Sequence, residues 1–235
     1  MFILFIAGCK KECEKSSDCA EKTCNTASCA KGACEYNIKA NCCGNGIKDK
    51  IEDGKQGNKC TCPKDYGSCT GKNGTYMERF CTENNDCVFG VPDEKIQNLK
   101  VLSDKSTGYF NLEIKSEYDS PFIINKSVFT ATITLKDDNE RLVYPIKFTD
   151  FKLLERDLIL GEKTANLEFN RVGDSASIDV PFEFSMQKPE EQRTVYLRVE
   201  YEYNYKVSNG QELARSYFDV SYRDKFLLIN PGLVK

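Results

Sequence analysis

The sequence contains neither histidine nor tryptophan. Histidine is the side chain most used for acid–base chemistry near neutral pH, so its absence excludes Ser-His-Asp and Cys-His machinery and every His-ligated metal site. A run of about 20 apolar residues, the length that a membrane-spanning helix needs, is also missing. The 33 basic and 36 acidic residues give a net charge of −3, which provides no basic surface for nucleic acid.

Cysteine is absent from the whole second part of the chain. All 13 cysteines lie between Cys9 and Cys87. A composition step of this kind indicates a domain boundary, and a dense set of cysteines indicates a disulfide scaffold in an oxidising compartment. We therefore expect an apolar leader at 1–9, a cysteine-rich disulfide module at 10–89, a linker at 90–98 and a β-sandwich domain at 99–235.

The amino terminus is apolar and ends in Ile6-Ala7-Gly8-Cys9, followed by two lysines. These four residues resemble the lipobox of prokaryotic surface lipoproteins, in which the cysteine is lipidated after cleavage. The resemblance implies lipidation of Cys9 and a membrane partner reached only through the lipid. The apolar run is shorter than a usual signal sequence and no basic segment precedes it. A short apolar strand ending in an ordinary cysteine is the alternative.

Cysteine parity agrees with the lipoprotein interpretation, because removing Cys9 leaves an even number. The remaining residues predict up to six disulfides among Cys13, Cys19, Cys24, Cys29, Cys34, Cys42, Cys43, Cys60, Cys62, Cys69, Cys81 and Cys87. The segment has few large aliphatic residues, so cross-links would offset the conformational entropy that burial cannot. A metal–thiolate module is the alternative, although the spacings form no C-x2-C ligand pair. We expect no cofactor.

The middle of the module contains a moderately specific motif of about 25 residues. It resembles a cysteine-rich repeat of prokaryotic extracellular proteins, C-G-N-G-x-C-E-x-G-E-x-C…C-P-x-D-C. The matching positions are Cys43, Gly44, Asn45, Gly46, Cys62, Pro63 and Asp65. Lys48 and Tyr66 stand where that repeat has cysteines. If those two cysteines are partners, losing both keeps the number even. The resemblance implies an extracellular location more than an activity.

Two further patterns in the sequence are candidate sites. Asn45, Asp49, Glu52 and Asp53 lie beside Gly46 and Gly54, and oxygen ligands on such a loop suit calcium. The spacing does not match an EF-hand, and the leading interpretation is a solvated polar turn with no metal. Asn73 and Asn125 each begin an N-glycosylation sequon, a pattern that is frequent by chance.

Beyond the linker, the apolar residues alternate with period two. Segments 128–135, 176–186 and 195–207 each place their apolar residues on one face, and Pro181 indicates an edge strand or bulge. Ser208-Asn209-Gly210-Gln211 predicts a hairpin turn that leads to a returning strand at 216–222. We expect further strands at 109–115, 146–154 and 166–172. Together these segments predict an antiparallel, immunoglobulin-like β-sandwich in a mainly β chain.

The β domain offers little for catalysis, since no pair of carboxylates stands out for acid–base work. Tyr201, Tyr203 and Tyr205 share one strand face and are either candidate binding aromatics for a protein or glycan or, as we prefer, a core row. We expect no catalytic residues and no enzyme. The leading hypothesis is a lipid-anchored cell-surface binding, adhesion or structural module. The alternatives are a surface filament or layer subunit that self-associates through sheet edges, and a thiol-based redox or metal-binding protein.

Overall fold

The computed structural model describes residues 11–72 and 74–233. Strands hold 55% of the residues and helices 6%, so the predicted fold class, a disulfide-rich module followed by an antiparallel sandwich, is confirmed. By contacts the chain divides into two compact units. Of the described residues, the first unit contains 11–72 and 78–90, and the second contains 74–77 and 91–233.

The first unit is built from three short antiparallel hairpins. Among the described residues its strands are β1 (Asn25–Ala30), β2 (Ala33–Ile38), β3 (Ile51–Glu52), β4 (Lys55–Gln56), β5 (Glu78–Cys81) and β6 (Cys87–Gly90), and α1, an α-helix, is Pro63–Tyr66. The strands pair β1 with β2, β3 with β4 and β5 with β6. Pro63 stands at the first position of α1, where its missing N–H costs no helical hydrogen bond.

The second unit contains the longer strands. They are β7 (Gln97–Ser106), β8 (Phe110–Ser120), β9 (Phe122–Ile123), β10 (Phe129–Asp138), β11 (Leu142–Glu155), β12 (Leu158–Phe169), β13 (Ser175–Val180), β14 (Glu190–Arg193), β15 (Tyr196–Val207), β16 (Gly210–Ser221) and β17 (Phe226–Ile229). One sheet has the order β13-β10-β8-β7 and a second has the order β12-β11-β15-β16. A smaller sheet, β14-β17-β9, contains one parallel pair, β17 with β9.

The sandwich core follows the alternation of the sequence. In β10 the inward residues Phe129, Ala131, Ile133 and Leu135 are fully buried, and the threonines between them are half-buried. Ser208 and Asn209 form the two-residue loop of the predicted hairpin, since Val207 pairs with Gly210. Strand β13 ends at Val180, directly before Pro181, and lies at the edge of its sheet.

One side of the sandwich is closed by the chain after β13. The N–H of Glu183 donates to the carbonyl of Leu160 in β12 at 2.8 Å. Gly161 makes this approach possible, because a Cβ there would lie 1.8 Å from the carbonyl oxygen of Pro181. On the opposite side, β7 and β16 each pair with a single neighbouring strand within the part of the chain that the structure describes.

Candidate functional site

All twelve cysteines from Cys13 to Cys87 are paired in six disulfides. The pairs are Cys13–Cys29, Cys19–Cys34, Cys24–Cys42, Cys43–Cys62, Cys60–Cys81 and Cys69–Cys87. Their partners are 15 to 21 residues apart in sequence, so each bridge closes a short loop. The predicted lipidation residue Cys9 lies outside the described residues, as does the sequon residue Asn73.

The two outer hairpins of the module share one disulfide arrangement. Cys29 and Cys34 face each other across β1 and β2, and Cys81 and Cys87 face each other across β5 and β6. Neither facing pair is bonded to itself. Instead, each cysteine bonds a cysteine that precedes its hairpin, in the same order both times. The module therefore contains a structural repeat around a middle segment, which the count of cysteines in the sequence did not reveal.

The residues that match the extracellular repeat form one local structure. The disulfide Cys43–Cys62 joins the two halves of the motif. The carboxylate of Asp65 accepts the N–H of Gly44 at 2.6 Å and the N–H of Gly46 at 2.9 Å. These backbone hydrogen bonds, led by that from Gly44, lower the pKa of Asp65 below its ordinary value. The motif thus uses Asp65 to hold the Gly-Asn-Gly turn against α1.

The two positions where the repeat has cysteines also come close together. The hydroxyl of Tyr66 donates to the carbonyl of Asp49, the residue after Lys48, at 2.5 Å. A hydrogen bond therefore ties the end of α1 to the segment at 48–49. Gly57 lies against this contact, since a Cβ there would be 2.2 Å from the Asp49 carbonyl oxygen and 2.7 Å from the Tyr66 hydroxyl.

The structure brings three of the four calcium candidates together. Asn45 Nδ2 donates to Asp49 Oδ2 at 3.1 Å, and the N–H of Asp49 donates to Glu52 Oε1 at 3.0 Å. Asp53 is exposed, and its side chain makes no hydrogen bond or ion pair to a described residue. Glu52 is 1% exposed, so this turn is not solvated throughout as the leading sequence interpretation expected.

The tyrosine row of β15 lies mostly in the core. Tyr201 and Tyr203 are buried, and Phe110 meets both rings edge-on. Tyr205 is half-buried at the end of the row, and its hydroxyl donates to a carboxylate oxygen of Glu212 at 2.6 Å. Burial raises the pKa of Tyr201 and of Tyr203. Two of the three candidate binding aromatics are therefore packed against other residues of the sandwich.

An exposed aromatic that the sequence reasoning did not single out lies on β16. Tyr217 is 55% exposed on the outward face, and the guanidinium of Arg198 stacks 4.0 Å from its ring centre. Asp219 holds Arg198 through two hydrogen bonds of 2.9 Å. The signal was present in the sequence, since inward Phe218 and Val220 place Tyr217 and Asp219 outward.

Two grooves of the second unit have defined linings. Asn125 is exposed in the turn after β9, with a φ of 67°, and borders a groove of about 430 Å³ with Lys126, Phe122 and Phe182. A second groove, of about 540 Å³, follows the open side of the sandwich between β7 and the end of β16. Leu99, Val101 and Tyr222 are among the residues that line it.

No helix in the described part of the chain is both long enough and apolar enough to cross a membrane. Comparison with family models, with curated proteins and with solved structures finds no match to this chain.

Proposed function

We propose that this chain is an exported, lipid-anchored cell-surface module that serves in binding or in surface structure. The observation that carries the proposal is the complete pairing of the twelve cysteines from Cys13 to Cys87. Disulfides in such number persist in oxidising compartments, whereas cytosolic thiols are kept reduced. The pairing favours a structural use of the cysteines over a redox or metal-thiolate use.

The same pairing supports a separate role for Cys9. The twelve cysteines from Cys13 to Cys87 are bonded to one another, so none of them is available to pair with Cys9. Cys9 is also the residue that completes the lipobox-like Ile6-Ala7-Gly8-Cys9. Stable anchoring needs more than one acyl chain, so the proposal implies a multiply acylated Cys9.

The mass of the protein recovered from its producing cells tests this proposal. We expect a chain that begins at a lipid-modified Cys9, with thiol labelling only after reduction. Cys9→Ser is expected to fold with all six bridges and to enter the medium. Cys13→Ser serves as the matched control, because it breaks the Cys13–Cys29 bridge and is expected to impair folding. An intact Met1, free thiols in the native protein or a misfolded Cys9→Ser variant would overturn the proposal.

A surface filament or layer subunit is the second candidate function. The observation that favours it is the open side of the sandwich, where β7 and β16 each have one unpaired edge within the described ranges. Unpaired edges are templates for strand addition by another chain. Sedimentation over a wide concentration range separates the two candidates. A mass that grows with concentration supports the filament subunit, and a constant monomer mass supports the binding module.

A further inference from the structure

Glu52 is a buried carboxylate with an unsatisfied oxygen. The residue is the last of β3 and is 1% exposed. Its Oε1 accepts the N–H of Asp49, whereas its Oε2 is buried and has no hydrogen-bond partner among the described residues. An ionised carboxylate in such a place is costly unless a charge or a hydrogen-bond donor compensates it. The unsatisfied Oε2 therefore points to a group that the described residues do not supply.

Lys55 is the cross-strand partner of Glu52 in the β3–β4 hairpin, but the two side chains form no ion pair. Within the described chain no lysine or arginine forms an ion pair with Glu52. A cation in this region would compensate the buried carboxylate.

The neighbouring turn offers a second carboxylate with a free oxygen. Asp49 Oδ2 accepts the N–H of Asn41 at 2.8 Å and Asn45 Nδ2 at 3.1 Å, and these two bonds fix the carboxylate. Asp49 Oδ1 accepts no hydrogen bond from a described residue. The backbone of Asp49 is held in turn by Glu52 Oε1 and by Tyr66. Asp49 and Glu52 are thus parts of one preorganised local structure.

We propose that Glu52 anchors a calcium-binding site in the cysteine-rich unit, with Asp49 as its second carboxylate. The available donors are oxygens, which calcium prefers. The cysteines of the unit are held in disulfides, so no thiolate ligand for a softer metal is present among the described residues. With two carboxylates the affinity falls in the range of extracellular modules, with a dissociation constant of about 0.1–1 mM. The inference goes beyond the proposed function and does not depend on lipid anchoring.

A calcium titration of the whole oxidised protein tests the site. The protein is first treated with a chelator and then titrated with calcium chloride to about 10 mM at constant ionic strength. We expect one bound ion per chain by calorimetry, and a thermal midpoint that rises with calcium. Magnesium, which needs a more regular oxygen shell, is expected to give a smaller rise at the same concentration.

Two substitutions with the same charge change separate the site from general electrostatics. Glu52→Gln removes the proposed anchor and is expected to weaken calcium binding at least about 10-fold. Asp53→Asn alters an exposed neighbouring carboxylate that is outside the proposed site, and it is expected to bind as the wild type does. Asp49→Asn is expected to weaken binding as Glu52→Gln does, which provides a second variant if Glu52→Gln fails to form all six bridges.

Three results would overturn the site. The first is the absence of saturable calcium binding in the wild type. The second is equal weakening by Asp53→Asn and Glu52→Gln. The third is a midpoint shift that sodium chloride reproduces at equal ionic strength. A Glu52→Gln variant that is more stable than the wild type without calcium, but no longer responds to calcium, supports the proposal, because the buried charge would then be the group that calcium compensates.

Discussion

The two units of this chain bury different kinds of side chain. In the first unit the buried residues with apolar side chains are all cysteines, namely Cys13, Cys19, Cys24 and Cys62, within the described residues. The second unit contains no cysteine and buries a continuous core of aliphatic and aromatic side chains. The first unit is therefore stabilised by disulfides and the second by the packing of apolar side chains.

The difference teaches how chain composition selects a route to stability. A short segment rich in Gly, Asn, Lys and Asp cannot bury enough apolar surface to offset its conformational entropy, so cross-links restrict its unfolded state instead. The second unit has long alternating strands, and removing its apolar surface from water supplies the driving force. We therefore expect reduction of the disulfides to unfold the first unit and substitutions in the apolar core to destabilise the second.

Reduction is expected to produce the largest effect. Each bridge, closing a loop of 15 to 21 residues, contributes about 3 kcal/mol in the chain-entropy description. Six such terms exceed the roughly 5–15 kcal/mol that stabilises a typical domain. After reduction and alkylation, hydrogen exchange is expected to lose protection throughout 11–72 and 78–90, while strands β8, β10, β11 and β15 keep theirs. Loss of protection in both units would contradict the conclusion that only the first unit depends on disulfides.

A substitution in the apolar core is expected to destabilise the second unit and to leave the first unchanged. Leu153 in β11 is fully buried, and Leu153→Ala is expected to cost the second unit about 2–5 kcal/mol through lost burial and the cavity left behind. Leu102 in β7 is 67% exposed, so Leu102→Ala is the matched control and should change stability by less than about 0.5 kcal/mol. Hydrogen exchange of β11 and β15 measures both, and the exchange rates of 11–72 should stay unchanged. Equal effects of the two variants would show that burial does not decide stability here.

The sequence predicts the β-sandwich unit better than the details of the cysteine unit. Alternation locates β10 and β15 because their inward residues are consistently apolar, and it locates only the second half of β16, where Phe218 and Val220 face inward. Strand β7 escapes notice because its exposed Leu102 interrupts the alternation. The chain end at 226–229 shows no alternation and forms the buried middle strand β17 of the small sheet, where four consecutive apolar residues face protein on both sides.

In the first unit the number of bridges follows from cysteine parity, but their connectivity does not. Six pairs among twelve cysteines can be arranged in many ways, and the facing pair Cys29 and Cys34 is not bonded to itself. The burial of Glu52 is equally hidden from the sequence, because a glutamate that directly precedes an Asp-Gly turn normally faces solvent. Connectivity and the burial of Glu52 are both properties of the folded unit that the local sequence does not show.

The smallest expected effect concerns one buried polar contact in the core of the second unit. The hydroxyls of Ser116 and Tyr222 lie 2.7 Å apart, with Ser116 fully buried and Tyr222 6% exposed. Removing one partner leaves the other buried without a hydrogen bond. Ser116→Ala and Tyr222→Phe are therefore each expected to destabilise the second unit by about 1–3 kcal/mol at neutral pH. The double variant should recover part of that loss, because it removes both polar groups.

The same pair gives the core a dependence on pH that distinguishes the two single variants. Burial raises the pKa of Tyr222 in the folded protein, whereas the pKa of a tyrosine in the unfolded chain is about 10. Folding thus favours the neutral phenol, and the stability gained from it is complete below about pH 10 and is lost as the pH rises toward the folded pKa. Above pH 10 this residue alone removes about 1.4 kcal/mol per pH unit from the free energy of unfolding.

Unfolding of the oxidised protein measured between pH 7 and 11 checks this expectation. Tyr222→Phe should lie below the wild type at pH 7 and approach it as the pH rises, because the variant has no phenol to ionise. Ser116→Ala keeps the phenol and should stay below the wild type with an unreduced alkaline slope. If Tyr222→Phe and the wild type lose stability in parallel, Tyr222 ionises alike in the folded and unfolded states. Water would then reach the Tyr222 hydroxyl in the folded protein. The second unit would be less completely packed than the burial of Tyr222 indicates, and its difference from the cross-linked unit would be smaller.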